Sequence, residues 1–206
     1  MNDIRPWNTA TATGLDTARW LDDHPEILRE GNLSQAAAKK LYEMMQGYDA
    51  SYQRLTWDEL FLQMAHDVSK RSPDSQTQVG AVIVDDNNRV LGVGYNGWMP
   101  GIDDTFIPNT RPGKYFWSIH AEMNALLNCE HKPRGATMYS TCRPCVGSDK
   151  FPGCLQFCVA AGLKEVVYIE NSTAAMLDGD DIDWEIVVWL VRDKLKVRGV
   201  DFTPQG

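Results

Sequence analysis

The sequence predicts an α/β sandwich of three layers, a five-stranded mixed sheet covered on both faces by helices. Three observations predict it. Trp57, Leu60, Phe61, Met64, Ala65 and Val68 recur at helical spacing. Two β-branched runs follow, Val79–Val84 and Val90–Tyr95, joined by the turn Asp85–Asn88. Helix-like and strand-like segments then alternate to the end, the pattern of a sheet with helical crossovers. The 206 residues, 43% apolar and 23% charged, suit one globular domain with additions.

Taken in order, residues 1–33 show no clear period, and a helix is predicted from Ser34 to about Gly47, capped by Ser34. Residues 1–52 read as an extension and 53–206 as the domain. Thr56 and Glu59 form a T-x-x-E capping box that starts the next helix. It should end near Arg71, because Ser72-Pro73-Asp74 is turn chemistry. The second strand runs into Gly92, Gly94 and Gly97 around Tyr95 and Asn96, which reads as a glycine-rich loop. Met99 to Lys114 reads as a long surface loop, and such loops often carry function. A helix follows from Ser118 to Cys129, then a third strand over Ala136–Thr141. A short helix over Leu155–Ala161 is closed by Gly162, and Val166–Ile169 is the fourth strand. After the acidic loop Asp178–Asp183, a helix over Trp184–Leu195 and a strand over Val200–Phe202 complete the set.

Lys plus Arg number 20 and Asp plus Glu 28, a net charge of −8. A polynucleotide would be repelled unless the cations cluster, whereas a small anionic ligand needs only two or three of them. No stretch approaches the ~18 apolar residues of a membrane span. No secretory signal is visible at the N-terminus, so a cytoplasmic chain without a membrane partner is expected. Five cysteines are present, and Cys142, Cys145, Cys154 and Cys158 fall within 17 positions. Without an export signal, such crowding points to metal binding before disulfides.

His120-Ala121-Glu122 opens the helix after the long loop, and Pro144-Cys145 follows the third strand. One imidazole and two thiolates leave a fourth position open, the layout of catalytic rather than structural zinc. Zinc bound this way lowers the pKa of water from ~16 to about 7. A carboxylate beside it that is not a ligand can move the water's proton, and Glu122, two residues from His120, is placed for that. Which second cysteine joins Cys145 stays open on spacing alone. Cys142-x-x-Cys145 has ordinary zinc spacing, and Cys154 begins a helix.

The pattern H-x-E with P-C-x-x-C belongs to the zinc nucleobase deaminases. Within them the chain resembles the deoxycytidylate (dCMP) deaminase family. The resemblance rests on Ser69–Ser72, Thr77–Val84, Gly94-Tyr95-Asn96-Gly97, His120–Ala125 and Ala161–Val166, over roughly residues 55–172. It implies a cytidine deaminase-like fold and hydrolysis of a free pyrimidine deoxynucleotide, dCMP to dUMP and ammonia. It implies His120, Cys145 and Cys154 on Zn2+ and Glu122 as the proton carrier. Asn96, Ala121 and Arg71 are implied as substrate contacts. Asn96 reads otherwise as a turn residue, and Lys70-Arg71 as a solvated helix end. The resemblance also implies a homo-oligomer, a hexamer favoured, and a dCTP or dTTP effector with Mg2+.

One departure stands out. The family places two residues between its thiols, but eight separate Cys145 from Cys154, an insertion of six. An insertion beside the metal would reshape the pocket mouth, which keeps a 5-modified dCMP or dCTP open as substrate. A polynucleotide deaminase and a zinc-bound scaffold without turnover are the contrasting readings. Cys142 reads as a strand-end core thiol, and Cys129 and Cys158 as small buried hydrophobes.

Overall fold

Gly80–Val84 carries no polar side chain and is buried at every position, so it belongs inside a sheet and not at an edge. The computed structural model places it there. Residues 54–148, 151–172 and 183–205 are described, and the architecture is that of the unit beginning at Leu55. The helix expected over Ser34–Gly47 and residues 178–182 of the acidic loop lie outside the described residues.

In chain order the elements are α1 (Trp57–Ser69), β1 (Gly80–Val84), β2 (Val90–Tyr95), β3 (Gly97–Trp98), β4 (Ser118–Ile119), α2 (Ala121–Leu127), β5 (Thr137–Ser140), α3 (Cys154–Ala161), β6 (Glu165–Ile169), α4 (Trp184–Val191) and β7 (Lys196–Val200). The main sheet runs β2-β1-β5-β6-β7. β1 is antiparallel to both neighbours, with Val82 opposite Val93 and Tyr139. β5, β6 and β7 are parallel to one another. The five-stranded mixed sheet thus agrees with the expectation.

Strand alternation divides the core in two. Ala81 and Ile83 face Ala121, Ala125, Met138, Leu155, Cys158 and Val187, so α2, α3 and α4 cover that face. Val82 and Val84 face Phe61, Leu62 and Ala65 of α1 on the other. Thr56 caps α1 as its motif requires: its hydroxyl accepts from Glu59 N at 3.2 Å, and Glu59 accepts from Thr56 N at 2.7 Å. The buried stripe of α1 is rotated slightly from the expected one. Leu62 is fully buried, whereas Trp57 is 57% exposed and stacks on Phe61.

Three boundaries differ from the sequence reading. The helix expected from Ser118 begins at Ala121, because Ser118 and Ile119 pair with Trp98 and Gly97 in a second, two-stranded sheet. His120 therefore stays extended, at φ −67° and ψ 154°, as the N-cap. The last strand lies at Lys196–Val200, and α4 stops at Val191. Lys196 and Arg198 disguise that strand, since they face α1 and pair with Glu165 and Asp58. Charged side chains on an edge strand are an ordinary guard against unwanted pairing.

Gly92 and Gly94 lie within β2, as the predicted strand Val90–Tyr95 has them, and they let α2 lie directly on it. A Cβ on Gly94 would sit 2.3 Å from Ala125 N and 2.4 Å from Ala121 O. Two side-chain amides, one in α2 and one at its C-cap, hold the helix there: Asn124 donates to Tyr95 O and Asn128 to Val93 O, each at 2.8 Å. Among the described residues, no helix is long and apolar enough to cross a membrane.

Candidate metal centre and its cavity

The seating of α2 on β2 fixes where its first residues fall. His120, the N-cap, turns Nδ1 toward two sulfurs, Cys145 Sγ at 3.5 Å and Cys154 Sγ at 3.4 Å. Glu122, in the first turn, is 2% exposed. Burial drives its carboxyl above the usual range against the pull of nearby His120.

Cys154 is the first residue of α3 and Cys145 closes the loop after β5. Leu155 N donates to Cys145 O at 3.0 Å, and Cys154 N donates to Cys145 Sγ at 3.3 Å. Hydrogen bonding from Cys154, backed by His120, brings the Cys145 thiol down to about 4. The same bond, with burial, pushes Cys154 well up.

The donor atoms of His120, Cys145 and Cys154 lie within 4.8 Å of one another. Zinc with ~2.3 Å bonds to sulfur and ~2.0–2.1 Å to nitrogen, set tetrahedrally, holds such atoms ~3.6 Å apart. The two sulfur–nitrogen distances match that figure, so the residues fit zinc. Cys142 is 5% exposed in the core beneath β5 and is not in this group. Cys158 packs on Met138, and half-buried Cys129 donates to Ala125 O.

The chain between the two cysteines folds back on itself. Gly147 bridges Pro152, and Ser148 N donates to Phe151 O at 2.9 Å. Residues 149 and 150 lie outside the described residues. No described residue of 146–153 lines the neighbouring cavity, so the expected reshaping of the pocket mouth has no support from the described part.

That cavity opens beside His120 and Glu122. Ala121 and Asn96 both line it. The Asn96 amide is already committed to the scaffold: Oδ1 accepts from Val79 N at 2.7 Å and Nδ2 donates to Thr77 O at 2.8 Å. One amide hydrogen is left for a ligand. Arg71 stands differently from the expectation. It is exposed past the end of α1 and does not line the cavity. The lining cations are Arg111, Lys114 and Arg143.

Sequence reasoning missed these residues. Lys114 ends the predicted surface loop, yet its Nζ meets Asp74 Oδ1 and Oδ2 at 2.9 and 2.7 Å with both side chains under 5% exposed. Asp74 also accepts from Gln76 N and Thr77 N. The pair pins the loop to the end of α1 and thereby walls the cavity. Its partners are 40 positions apart with no periodicity to link them. Arg143 lies over the ring of Trp184, 4.8 Å from its centroid, and Trp184 Nε1 donates to Pro144 O at 3.0 Å. α4 thereby anchors the segment that carries Cys145.

With this geometry in view, similarity to known proteins is specific. The family described as the cytidine and deoxycytidylate deaminase zinc-binding region matches residues 55–170. The chain is 35% identical to the deoxycytidylate deaminase of Mus musculus over 137 residues, which is 60% of this chain and 74% of that protein. It is 32% identical to ComE operon protein 2 of Bacillus subtilis over 133 residues, 58% of this chain and 62% of that one. Among solved structures, the dCMP deaminase of cyanophage S-TIM5 in complex with dCMP and dUMP superposes with a TM-score of 0.53 at 22% identity. It covers 72% of this chain and all of the phage protein, and shows that the two share a fold.

Proposed function

The chain belongs to the cytidine and deoxycytidylate deaminase zinc-binding family, and from that premise we propose that it hydrolyses dCMP to dUMP and ammonia. The observation that carries the reading is the meeting of His120, Cys145 and Cys154 with buried Glu122 at one cavity. The name of the 35% identical mouse relative, deoxycytidylate deaminase, supports the substrate.

In this reading His120, Cys145 and Cys154 would hold zinc, which when bound would supply a water acidic enough to act as a nucleophile at neutral pH. Glu122 would take a proton from the water whose oxygen adds to C4, and place it on N3. A second proton, carried the same way, goes to the exocyclic amine, and the C4–N bond breaks to release ammonia. One water is consumed for each dCMP. The cavity walls orient the ring: the backbone at Ala121 and the remaining Asn96 amide hydrogen face the nucleotide. The phosphate falls to Arg111 and Arg143, whose planar forks suit bidentate contact, in place of Arg71.

A homo-oligomer, a hexamer favoured, and a triphosphate effector with Mg2+ belong to the same proposal, as does the reading of residues 1–52 as an extension of the domain 53–206. Size measurement with and without dCTP and Mg2+ tests them.

The direct test is ammonia release by the zinc-loaded full chain. The panel is dCMP, CMP, dCTP, 5-methyl-dCMP, dAMP and a single-stranded oligonucleotide. dCMP should be the fastest. Silence on every cytosine deoxynucleotide would overturn the proposal. Arg111→Ala should raise KM for dCMP and leave that for deoxycytidine, which lacks the phosphate, unchanged.

A further inference from the structure

Eight residues lie between the two candidate sulfur ligands, yet the sulfurs meet the same imidazole nitrogen at 3.5 and 3.4 Å. Something must bring the ends of that segment together. The backbone shows that they nearly coincide. A Cβ on Gly153 would lie 2.2 Å from Gly147 N and 2.4 Å from the carbonyl carbon of Val146. A Cβ on Gly147 would lie 2.4 Å from Gly153 N. Any side chain at either position would force the ends apart, and Gly147 further needs its φ of +77°.

One side chain bridges the closure. Gln156, on the first turn of α3, donates from Nε2 to Val146 O at 2.7 Å and accepts at Oε1 from Gly153 N at 3.1 Å. Val146 follows Cys145 and Gly153 precedes Cys154, so one amide spans the two residues adjoining the sulfur ligands. Val146 itself is fully buried in the core. Outside the clamp, Phe151 is 73% exposed.

We propose that Gly147–Pro152 is a self-closed insert and that Gln156 is the positioning residue that holds Cys145 and Cys154 at ligand spacing across it. The inference rests on the metal centre proposed above. Removing residues 147–152 leaves Cys145-Val146-Gly153-Cys154, two residues between the thiols, and the proximity of Val146 to Gly153 allows the join with little movement. With the insert gone the two ends are covalently tied, and the Gln156 amide has less to do.

The test uses the full chain in four forms: wild type, Gln156→Leu, the 147–152 deletion, and both together. Gln156→Glu is a fifth, keeping the acceptor for Gly153 N but losing the donor to Val146 O. Zinc affinity is read by competition with a chromophoric chelator. Two-thiolate binding is read by the sulfur-to-metal charge-transfer band after Co2+ substitution. Melting of the metal-free forms serves as the fold control. Gln156→Leu should weaken zinc about ten- to a hundred-fold, the usual cost of losing a residue that orients a ligand. It should dim the cobalt band while the metal-free form still unfolds in one cooperative transition, its melting point lowered only modestly by the two lost hydrogen bonds. Gln156→Glu should fall between it and wild type. The deletion should bind zinc like wild type, and Gln156→Leu should cost less in it than in the full chain. Wild-type affinity in Gln156→Leu, or a folded deletion variant without zinc, would overturn the inference. If wild type itself showed no two-thiolate band, the metal centre would fall and this inference with it.

Discussion

Removing the Asp74 carboxylate should be more damaging than removing the Lys114 ammonium, although the two form one ion pair. Asp74→Ala strands a cation whose side chain is 3% exposed, and frees the N–H groups of Gln76 and Thr77. Breaking a buried pair from one side costs about 3–5 kcal/mol. Lys114→Met instead leaves the carboxylate with two backbone donors and fills the space with an apolar chain of similar length, so its loss should be smaller. Adding Lys114→Met to Asp74→Ala should recover stability, because the stranded charge is gone. For a domain of this size 3–5 kcal/mol lowers Tm by about 6–20 °C. Urea unfolding of the four proteins gives the coupling energy of the pair. The reasoning is refuted if the two single losses simply add, or if Lys114→Met is the worse of the two. Because Lys114 also pins the segment bearing Arg111, Lys114→Met should raise KM for dCMP more than it lowers kcat.

Other consequences are as specific. Glu122→Gln should reduce turnover by about 10²–10⁴-fold, the usual worth of a proton carrier, with zinc content unchanged by elemental analysis. Gly94→Ala drives a methyl against Ala125 N and Ala121 O. It should cost about 1–3 kcal/mol in urea unfolding, the price of overpacking, and displace the start of α2 enough to weaken zinc binding. Acid stability should depend on Arg198. Burial raises the carboxyls of Asp58 and Glu165, but hydrogen bonds from Arg198 and Tyr139 to the first, and from Lys196 and Arg198 to the second, outweigh it and hold both low. A carboxyl lower in the folded than in the unfolded state stabilises above its unfolded value, near 4, and that stabilisation is lost as pH falls through the folded value. Arg198→Met should therefore move the acid-unfolding midpoint to higher pH, measured by circular dichroism. An unmoved midpoint would show that the cluster is not what fails in acid.

How much of this was legible in the chain follows from the range of each signal. The capping box at Thr56 and Glu59 is local, and α1 begins where it says. The five strands of the main sheet are legible because β1 and β6 hold β-branched apolar runs, β2 returns from the Asp85–Asn88 turn, and β5 lies between two helical segments. The fifth was misplaced because Lys196 and Arg198 answer to Glu165 and Asp58, residues distant in sequence. β3 and β4, two residues each, are too short for any period and exist only as each other's partners. At the site, His120, Glu122 and Cys145 stand in short motifs. Asp74 and Lys114 meet only in three dimensions, and Arg71 occupies a plausible motif position yet lies away from the cavity that Arg111 and Arg143 line. The glycines of β2 were legible as glycines but not as the seat of a helix, which needs the helix in place.

The central claim is that one imidazole and two particular sulfurs hold the metal. X-ray absorption at the zinc K edge of the full chain tests it most directly, on wild type, Cys142→Ala and Cys154→Ser. Two sulfurs at ~2.3 Å with a nitrogen at ~2.0–2.1 Å are predicted for wild type, unchanged in Cys142→Ala and one sulfur fewer in Cys154→Ser. A sulfur lost in Cys142→Ala but kept in Cys154→Ser would contradict it.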